Sequence, residues 1–209
     1  AIREKHDFPI FINADHTYSV ERCIEAIDAG FDSVIYDGAK LSFKENLKNT
    51  KEVVDYARAS GRDVLVESEL GFIGTSSKVL EELPEGAQVT DELMTKPEEA
   101  ERFAKETGID LLAPALGNVH GMLKGGFNPN LNADLTKEIT EKTGVPLVLH
   151  GGSGSRPDDF VKVIKSGVSI VHISTELRVA FRKGLEEKMA EKPEEIAPYR
   201  YMNGGVEAM

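Results

Sequence analysis

The sequence has 209 residues, of which 40% are hydrophobic and 29% charged, and its formal net charge is −11. This composition predicts a folded chain with an ordinary core and excludes a disordered one, and the acidic charge argues against binding along a nucleic-acid backbone. The single cysteine excludes a disulfide scaffold and an all-cysteine zinc site, and it fits a reducing, cytoplasmic compartment. No apolar stretch approaches the roughly 20 residues of a membrane span. We therefore expect neither nucleic acid nor membrane as a partner.

Six short apolar or β-branched segments alternate with helical patterns along the chain. The predicted strands are Pro9–Ala14, Ser33–Tyr36, Asp63–Glu67, Leu111–Ala115, Leu147–Leu149 and Ile170–Ile173. Between them, Ser42 and Thr95 are each followed three residues later by a glutamate, which is the spacing of a capping box at a helix start. This alternation predicts a parallel sheet with helices outside it.

Two architectures contain such a sheet, the open doubly wound sheet and the closed barrel. Polar residues follow nearly every predicted strand, and in barrels the carboxyl ends of the strands build the site. We therefore predict a TIM (β/α)₈ barrel, of which about six βα units are present in residues 1–191, followed by a C-terminal tail in residues 192–209. Six strands would leave two sheet edges unpaired, so we expect that two further units or a partner close the barrel.

Three histidines stand at or just past the ends of three different predicted strands. His16 follows the first strand, His120 the fourth and His150 the fifth. In a barrel these imidazoles would converge on one mouth, and three nitrogen ligands with an open position are typical of a catalytic zinc site. The sequence therefore predicts a divalent metal site at this mouth.

Carboxylates gather at the same end of the predicted sheet. Asp15 directly precedes His16, and Asp37 ends the second strand. The alternation of a strand places Glu67 and Glu69 on one face. Such acids either take part in the chemistry or support the histidine ligands, and the residues alone leave both roles open.

A glycine-rich segment, GGSG at residues 151–154, joins a predicted strand to a helix directly after His150. Successive backbone amides beside the positive end of a helix form an anion site suited to phosphate. Further phosphate contacts could come from Gly121, Lys124, Ser174 and Thr175.

Four strings, ADH at 14–16, VESELG at 66–71, GNVHG at 117–121 and LHGGSG at 149–154, occur in the order and approximate spacing of class II, metal-dependent ketose-bisphosphate aldolases. The chain resembles this family from about Phe8 to about Phe181. The resemblance implies reversible cleavage of fructose or tagatose 1,6-bisphosphate to dihydroxyacetone phosphate and glyceraldehyde 3-phosphate, as in glycolysis. It also implies Zn²⁺ or another divalent metal, a monovalent cation as an optional second ion, and a cytoplasmic homo-oligomer, either dimer or tetramer.

The resemblance further implies a role for each site residue. Asp15 would be the catalytic base; the metal ligands would be His16, His120 and His150, with Glu69 as an additional or alternate ligand and Asp37 as an acid near the metal. The substrate phosphate or an alkali ion would contact Gly121, Lys124, Gly151, Ser153, Ser174 and Thr175, and His172 would face the substrate.

The sequence departs from the family pattern in three places. The family's first two βα units have no counterpart, so we expect little activity from the chain alone and recovery on adding about 80–90 N-terminal residues. His172 stands where the family has an asparagine that contacts the enediolate, and an imidazole is bulkier and can itself bind metal. The loop after VESELG normally carries a catalytic acid, whereas its first acids here, Glu81 and Glu82, come later than expected.

Two other functions stay open from the sequence. A non-catalytic fragment or assembly subunit that keeps the metal site is favoured by the absent units. A zinc-dependent hydrolase on a similar barrel would need a metal-bound water but no phosphate pocket, so the GGSG segment and Lys124 count against it. A lysine imine mechanism is not expected, because no predicted strand ends in lysine.

Overall fold

The computed structural model describes residue 5 and residues 7–74, 77–83 and 93–209. Within these residues, six parallel strands form one sheet in the order β1 (Asn13–Thr17), β2 (Ser33–Tyr36), β3 (Leu65–Leu70), β5 (Leu111–Pro114), β7 (Leu147–Leu149) and β8 (Val168–Val171). Two short strands in the connecting loops, β4 (Val79–Leu80) and β6 (Met122–Leu123), pair separately with each other.

Helices follow the strands along the chain. They are α1 (Val20–Ala29), α2 (Phe43–Ala59), α3 (Pro97–Thr107), α4 (Ala133–Thr143), α5 (Pro157–Lys165), α6 (Thr175–Glu191) and α7 (Pro198–Ala208). The strands of the main sheet lie side by side in chain order, as in a barrel, whereas an open doubly wound sheet reverses its order at one point. The prediction of a partial TIM barrel with about six βα units is confirmed.

The two faces of the sheet differ in chemistry. The outer face packs against the helices, and its core residues include Val66, Leu112 and Leu147. Alternate positions point to the inner face, where Glu67 and Glu69 are both buried. Burying two carboxylates costs free energy unless they find polar partners. This part of the inner face is therefore arranged around polar contacts.

One predicted capping box forms and the other does not. Ser42 accepts a hydrogen bond from the backbone amide of Glu45, and the Glu45 side chain accepts one from the amide of Ser42. The Thr95 hydroxyl instead donates to the carbonyl of Leu70 at 2.5 Å, and α3 begins at Pro97 without a side-chain cap. The prediction of the second box is wrong because the Thr95 hydroxyl bridges the Leu70 carbonyl at the end of β3 and the backbone amide of Ala115 just after β5.

The two ends of the chain differ from the sequence expectations. The first strand is Asn13–Thr17 rather than Pro9–Ala14, so that Asp15 and His16 lie within it. Residues 192–209, predicted as a tail, contain α7, which packs against α6 where Gly184 and Gly204 face each other without room for a side chain. In the part of the chain that the structure describes, no helix is long and apolar enough to cross a membrane.

Candidate metal centre and active site

His16 lies in a distorted part of β1. The pairing of β1 with β2 is regular up to Ala14 and shifts before Thr17. The φ angle of His16 is 50°, in the left-handed region that residues other than glycine rarely adopt. An irregularity of this kind re-aims a side chain, and here it brings the His16 imidazole to those of His120 and His150.

The three histidines predicted to bind metal lie together. The ring centroid of His16 is 4.8 Å from that of His120 and 4.7 Å from that of His150, and the latter two are 5.9 Å apart. His16 Nε2 and His150 Nδ1 are separated by 3.1 Å. Tetrahedral zinc with bonds of about 2.0–2.1 Å places neighbouring ligand atoms roughly 3.3 Å apart. The spacing of these nitrogens therefore suits a single ion.

In each of the three imidazoles, one ring nitrogen lies within hydrogen-bond distance of an oxygen acceptor. His16 Nδ1 lies 2.9 Å from Asp37 Oδ2, His120 Nδ1 2.7 Å from the carbonyl oxygen of Gly74, and His150 Nε2 2.8 Å from Glu67 Oε1. Histidines that bind metals typically donate their second N–H in this way, which fixes the tautomer and the ring orientation. The nitrogens left for an ion are Nε2 of His16, Nε2 of His120 and Nδ1 of His150.

Burial keeps two of the three imidazoles neutral. It lowers the pKa of His120 and the pKa of His150, each to about 4. Burial also acts to lower the pKa of His16, but the hydrogen bond to Asp37 and the charge of Asp15 outweigh it and raise that pKa. Because a metal binds the neutral form, His120 and His150 can serve as ligands at neutral pH without releasing a proton.

Glu69 lies behind His16 and lacks a full set of partners. Its Oε2 accepts no hydrogen bond from the described residues and lies 3.5 Å from His16 Nδ1. Burial, with the neighbouring charge of Asp37, raises the pKa of Glu69 well above its usual value, and burial raises the pKa of Glu67 to about 7. A nearby divalent cation would stabilise the ionised carboxylates. The three oriented nitrogens fit a metal with nitrogen ligands, such as Zn²⁺, whereas the Glu69 oxygen lies beside the Nδ1 of His16 that Asp37 already holds.

A cavity of about 110 Å³ opens beside the histidines. Its lining includes most of the residues predicted to act on substrate, namely Asp15, Gly121, Gly151, Ser153, His172, Ser174 and Thr175. Asp15 Oδ1 lies 4.0 Å from His16 Nε2 and 3.7 Å from His172 Nδ1, and the Asp15 side chain is 57% exposed. Asp15 is therefore adjacent to the candidate metal site and open to the cavity.

The GGSG segment packs against the start of α6. Ser153 Oγ accepts hydrogen bonds from the backbone amides of Ser174, at 3.2 Å, and Glu176, at 3.3 Å. Gly151 has a φ of 61°, and a side chain there would collide with the backbone of Val119 in the loop after β5. The segment and the amino end of α6 thus form one wall of the cavity, with Thr175 as the first residue of the helix.

One residue predicted to contact phosphate lies outside the cavity, and another cation lines it. Lys124 is 65% exposed, and its Nζ lies 2.7 Å from Glu81 Oε1. Arg178 lines the cavity, and its guanidinium has no partner among the described residues, whereas every other arginine that the structure describes has one.

Arg178 was not among the residues predicted from the sequence, although its position in the helix indicates where its side chain points. Arg178 stands one turn into α6, which begins at Thr175. Helical side chains point back toward the amino end of their helix. A cation at this position is therefore directed toward the cavity wall that contains the start of α6.

The loops that follow β3 and β5 are joined to each other. Val79 pairs with Met122 and Leu80 with Leu123 in the parallel pair β4–β6, and the ion pair between Glu81 and Lys124 extends this contact. Residues 75–76 and 84–92 of the first loop lie outside the described residues.

Comparison with known proteins identifies relatives of both the sequence and the fold. The family description that matches residues 1–209 is fructose-bisphosphate aldolase class-II. The fructose-bisphosphate aldolase of Geobacillus stearothermophilus is 41% identical over 201 residues, which are 96% of this chain and 66% of that protein. The 6-phospho-5-dehydro-2-deoxy-D-gluconate aldolase of Bacillus licheniformis is also 41% identical over 201 residues, 96% of this chain and 65% of the relative.

Among solved structures, the YdjI aldolase from Escherichia coli K12 superposes with a TM-score of 0.74 at 28% identity. The match covers 99% of this chain and 66% of that one. The chain thus spans about two thirds of the length of the relatives it matches.

Proposed function

The chain belongs to the class II fructose-bisphosphate aldolase family, and from this membership we propose that it carries the metal site and a phosphate site of an enzyme that cleaves a ketose 1,6-bisphosphate. The reaction is a metal-dependent retro-aldol cleavage. One observation carries the proposal: three imidazoles, from β1 and from the loops after β5 and β7, each present a potential ligand nitrogen within 4.8 Å of the others. These nitrogens lie beside Asp15 and a cavity lined by Arg178, which has no partner among the described residues.

His16, His120 and His150 would hold Zn²⁺ or another divalent metal. Glu69, which lies with Asp37 beside Nδ1 of His16, would be an additional or alternate ligand. Bound there, the metal would act as a Lewis acid that polarises the ketone of the substrate. The protein's own contribution is orientation: the contacts from Asp37, Gly74 and Glu67 fix the three rings before any ligand arrives.

Asp15 is the general base of the proposed reaction. It accepts the proton of the C4 hydroxyl while the C3–C4 bond breaks, so that C4 becomes an aldehyde carbon and the electron pair stays with the dihydroxyacetone phosphate half. Its position supports this role, because the side chain is open to the cavity and lies next to His16 rather than behind it. His172, at 3.7 Å from Asp15, is placed to hydrogen-bond a substrate oxygen.

Arg178 supplies the positive charge for a substrate phosphate. A phosphate dianion has to enter a site that already contains several carboxylates, in a chain with a net charge of −11. Within the described residues, Arg178 is the one lysine or arginine that lines the cavity, and a guanidinium can bind phosphate through two hydrogen bonds. Gly121, Gly151, Ser153, Ser174 and Thr175 complete the phosphate site, and a monovalent cation would bind beside it.

Fructose 1,6-bisphosphate is the proposed substrate, with tagatose 1,6-bisphosphate as the alternative stereochemistry. The products are dihydroxyacetone phosphate and glyceraldehyde 3-phosphate, and the reaction belongs to glycolysis. The relative from Bacillus licheniformis is named for a different substrate, 6-phospho-5-dehydro-2-deoxy-D-gluconate, at the same 41% identity. That compound therefore serves as the third substrate in the test.

We further propose a homo-oligomer, dimer or tetramer, in the cytoplasm. The buried, unpaired Cys23 supports a reducing compartment. Strands β1 and β8 each pair on one side only within the described residues, which supports a partner or further units at these edges.

The test is a cleavage assay on zinc-loaded protein with the three candidate substrates. It is run on the chain itself and on the chain extended at its amino end to the length of its relatives, with and without a chelator. We expect release of dihydroxyacetone phosphate from one of the bisphosphates, little from the chain alone, and none after chelation. Cleavage in the presence of the chelator would contradict the proposal. A lack of cleavage by the extended protein would also contradict it.

A further inference from the structure

We propose that Asp15, His150 and His172 form a second cation position, for a borderline divalent metal such as Zn²⁺ or Co²⁺, which is occupied as an alternative to the three-histidine site. The inference rests on the proposed metal site, because the two positions share His150. It assigns a role to His172 beyond the substrate contact expected from the sequence.

The geometry of the three side chains supports a common ligand. One potential ligand atom from each residue lies within 4.8 Å of the others. The ring centroids of His150 and His172 are 4.3 Å apart, and His172 Nδ1 lies 3.7 Å from Asp15 Oδ1. Two imidazoles and a carboxylate are an established ligand set for zinc with an open fourth position. All three residues line the same cavity, so an ion can reach them from solvent.

His150 can serve only one of the two positions at a time. Its Nε2 lies 2.8 Å from Glu67 Oε1, and both side chains are almost fully buried. The ring is therefore held with Nδ1 as the nitrogen available to an ion, and this Nδ1 also faces His16 Nε2. An ion on His150 is accordingly bound either with His16 and His120 or with Asp15 and His172.

The two positions differ in charge and in consequence. The three-histidine site offers imidazole nitrogens alone, whereas the second position adds the carboxylate of Asp15. Because Asp15 is more than half exposed, it can turn toward an ion without crossing a packed interior. A carboxylate that binds a cation is no longer free to accept a proton. The second position is therefore an inactive arrangement of the site, and His172 provides the ligand that completes it.

Co²⁺ binding to the full 209-residue chain tests the inference. Replacing both His16 and His120 by alanine removes two ligands of the first site and leaves the second position intact. We expect this double variant to bind one Co²⁺ per chain in equilibrium dialysis. Adding His172→Asn should weaken that binding by roughly tenfold or more, and adding Asp15→Asn should do the same, since each removes a ligand.

Asp37→Asn in the same double variant is the control. Asp37 is near the first site but does not belong to the second ligand set, so Co²⁺ affinity should stay within about twofold. The inference is overturned if the folded double variant binds no Co²⁺, if His172→Asn leaves its affinity unchanged, or if Asp37→Asn abolishes binding. The pair His16→Gln and His120→Gln fills nearly the original volume and provides a second variant if the alanine substitutions unfold the chain.

The unmodified chain separates this inference from the proposed function. If it binds no Co²⁺, the three-histidine site itself is contradicted. If it binds Co²⁺ and the folded double variant does not, only the second position is contradicted.

Discussion

Replacing Arg178 by alanine should weaken the binding of dihydroxyacetone phosphate to the zinc-loaded chain. Few other donors can compensate, because Lys124 pairs with Glu81 and the backbone amide of Gly154 already donates to Glu176 at 3.0 Å. Hydrogen bonds to charged groups contribute about 1.5–3 kcal/mol. At about 1.4 kcal/mol per factor of ten, the dissociation constant should rise by roughly 10- to 100-fold. Isothermal titration calorimetry measures this constant directly.

Two matched variants test the reasoning on the same helix. Arg182 is one turn further along α6, is 79% exposed and pairs with Glu186, so Arg182→Ala should leave the affinity within about twofold. Arg178→Lys keeps the charge but loses the two-pronged contact, and its affinity should fall between those of the original chain and the alanine variant. A phosphate contact by Arg178 is excluded if Arg178→Ala binds dihydroxyacetone phosphate as tightly as the original chain. It is also excluded if Arg182→Ala weakens binding as much as Arg178→Ala does.

Three further predictions concern the base, the cysteine and a helix cap. Asp15→Asn should lower cleavage by the extended protein about 10²- to 10⁴-fold and leave its zinc content unchanged, because asparagine keeps the shape without the basicity; near-normal cleavage would exclude Asp15 as the base. Burial raises the pKa of Cys23 to about 12. Cys23 should therefore react with a thiol reagent at pH 8 roughly 10³-fold more slowly in the folded chain than in the unfolded chain. Equal rates would contradict its burial. Ser42→Ala should reduce the free energy of unfolding by about 1 kcal/mol in urea, since it removes the cap of α2; an unchanged midpoint would show that the capping box contributes nothing.

The convergence of the three histidines could be predicted because it follows largely from strand order. Parallel strands end at the same edge of a sheet, so histidines at or beyond those ends lie near one another, although a loop positions His120 and a backbone irregularity positions His16. The alternation of β3 also placed Glu67 and Glu69 on one face correctly, with Ser68 turned toward the hydroxyl of Thr50 on the other. The alternation in β3 depends on backbone geometry alone.

Features that depend on non-local partners could not be predicted. The segment Pro9–Ile12 has the composition of a strand, but the pairing with β2 begins at Asn13, and side chains such as Phe8 and Phe11 remain exposed. Composition shows that a segment can pair, but not which residues do. Lys124 meets Glu81 across 43 residues of sequence, and a long flexible side chain has no direction that spacing could reveal.

The helix at the end of the chain also escaped prediction, for an energetic reason. α7 contains two adjacent glycines, and glycine lowers the intrinsic tendency to form a helix by about 1 kcal/mol per residue. The structure uses these glycines for close packing, since Gly204 faces Gly184 of α6 and Gly205 lies against Phe181. Tertiary packing stabilises such a helix, and local sequence does not report it.

Anomalous X-ray scattering at the zinc edge, from crystals of the chain grown with one equivalent of Zn²⁺, tests the metal site most directly. We expect one dominant peak about 2.0–2.1 Å from His16 Nε2, His120 Nε2 and His150 Nδ1. The contacts of these rings with Asp37, Gly74 and Glu67 should be retained. A dominant peak bound by other residues, or no peak near the three histidines, would contradict the proposed metal site.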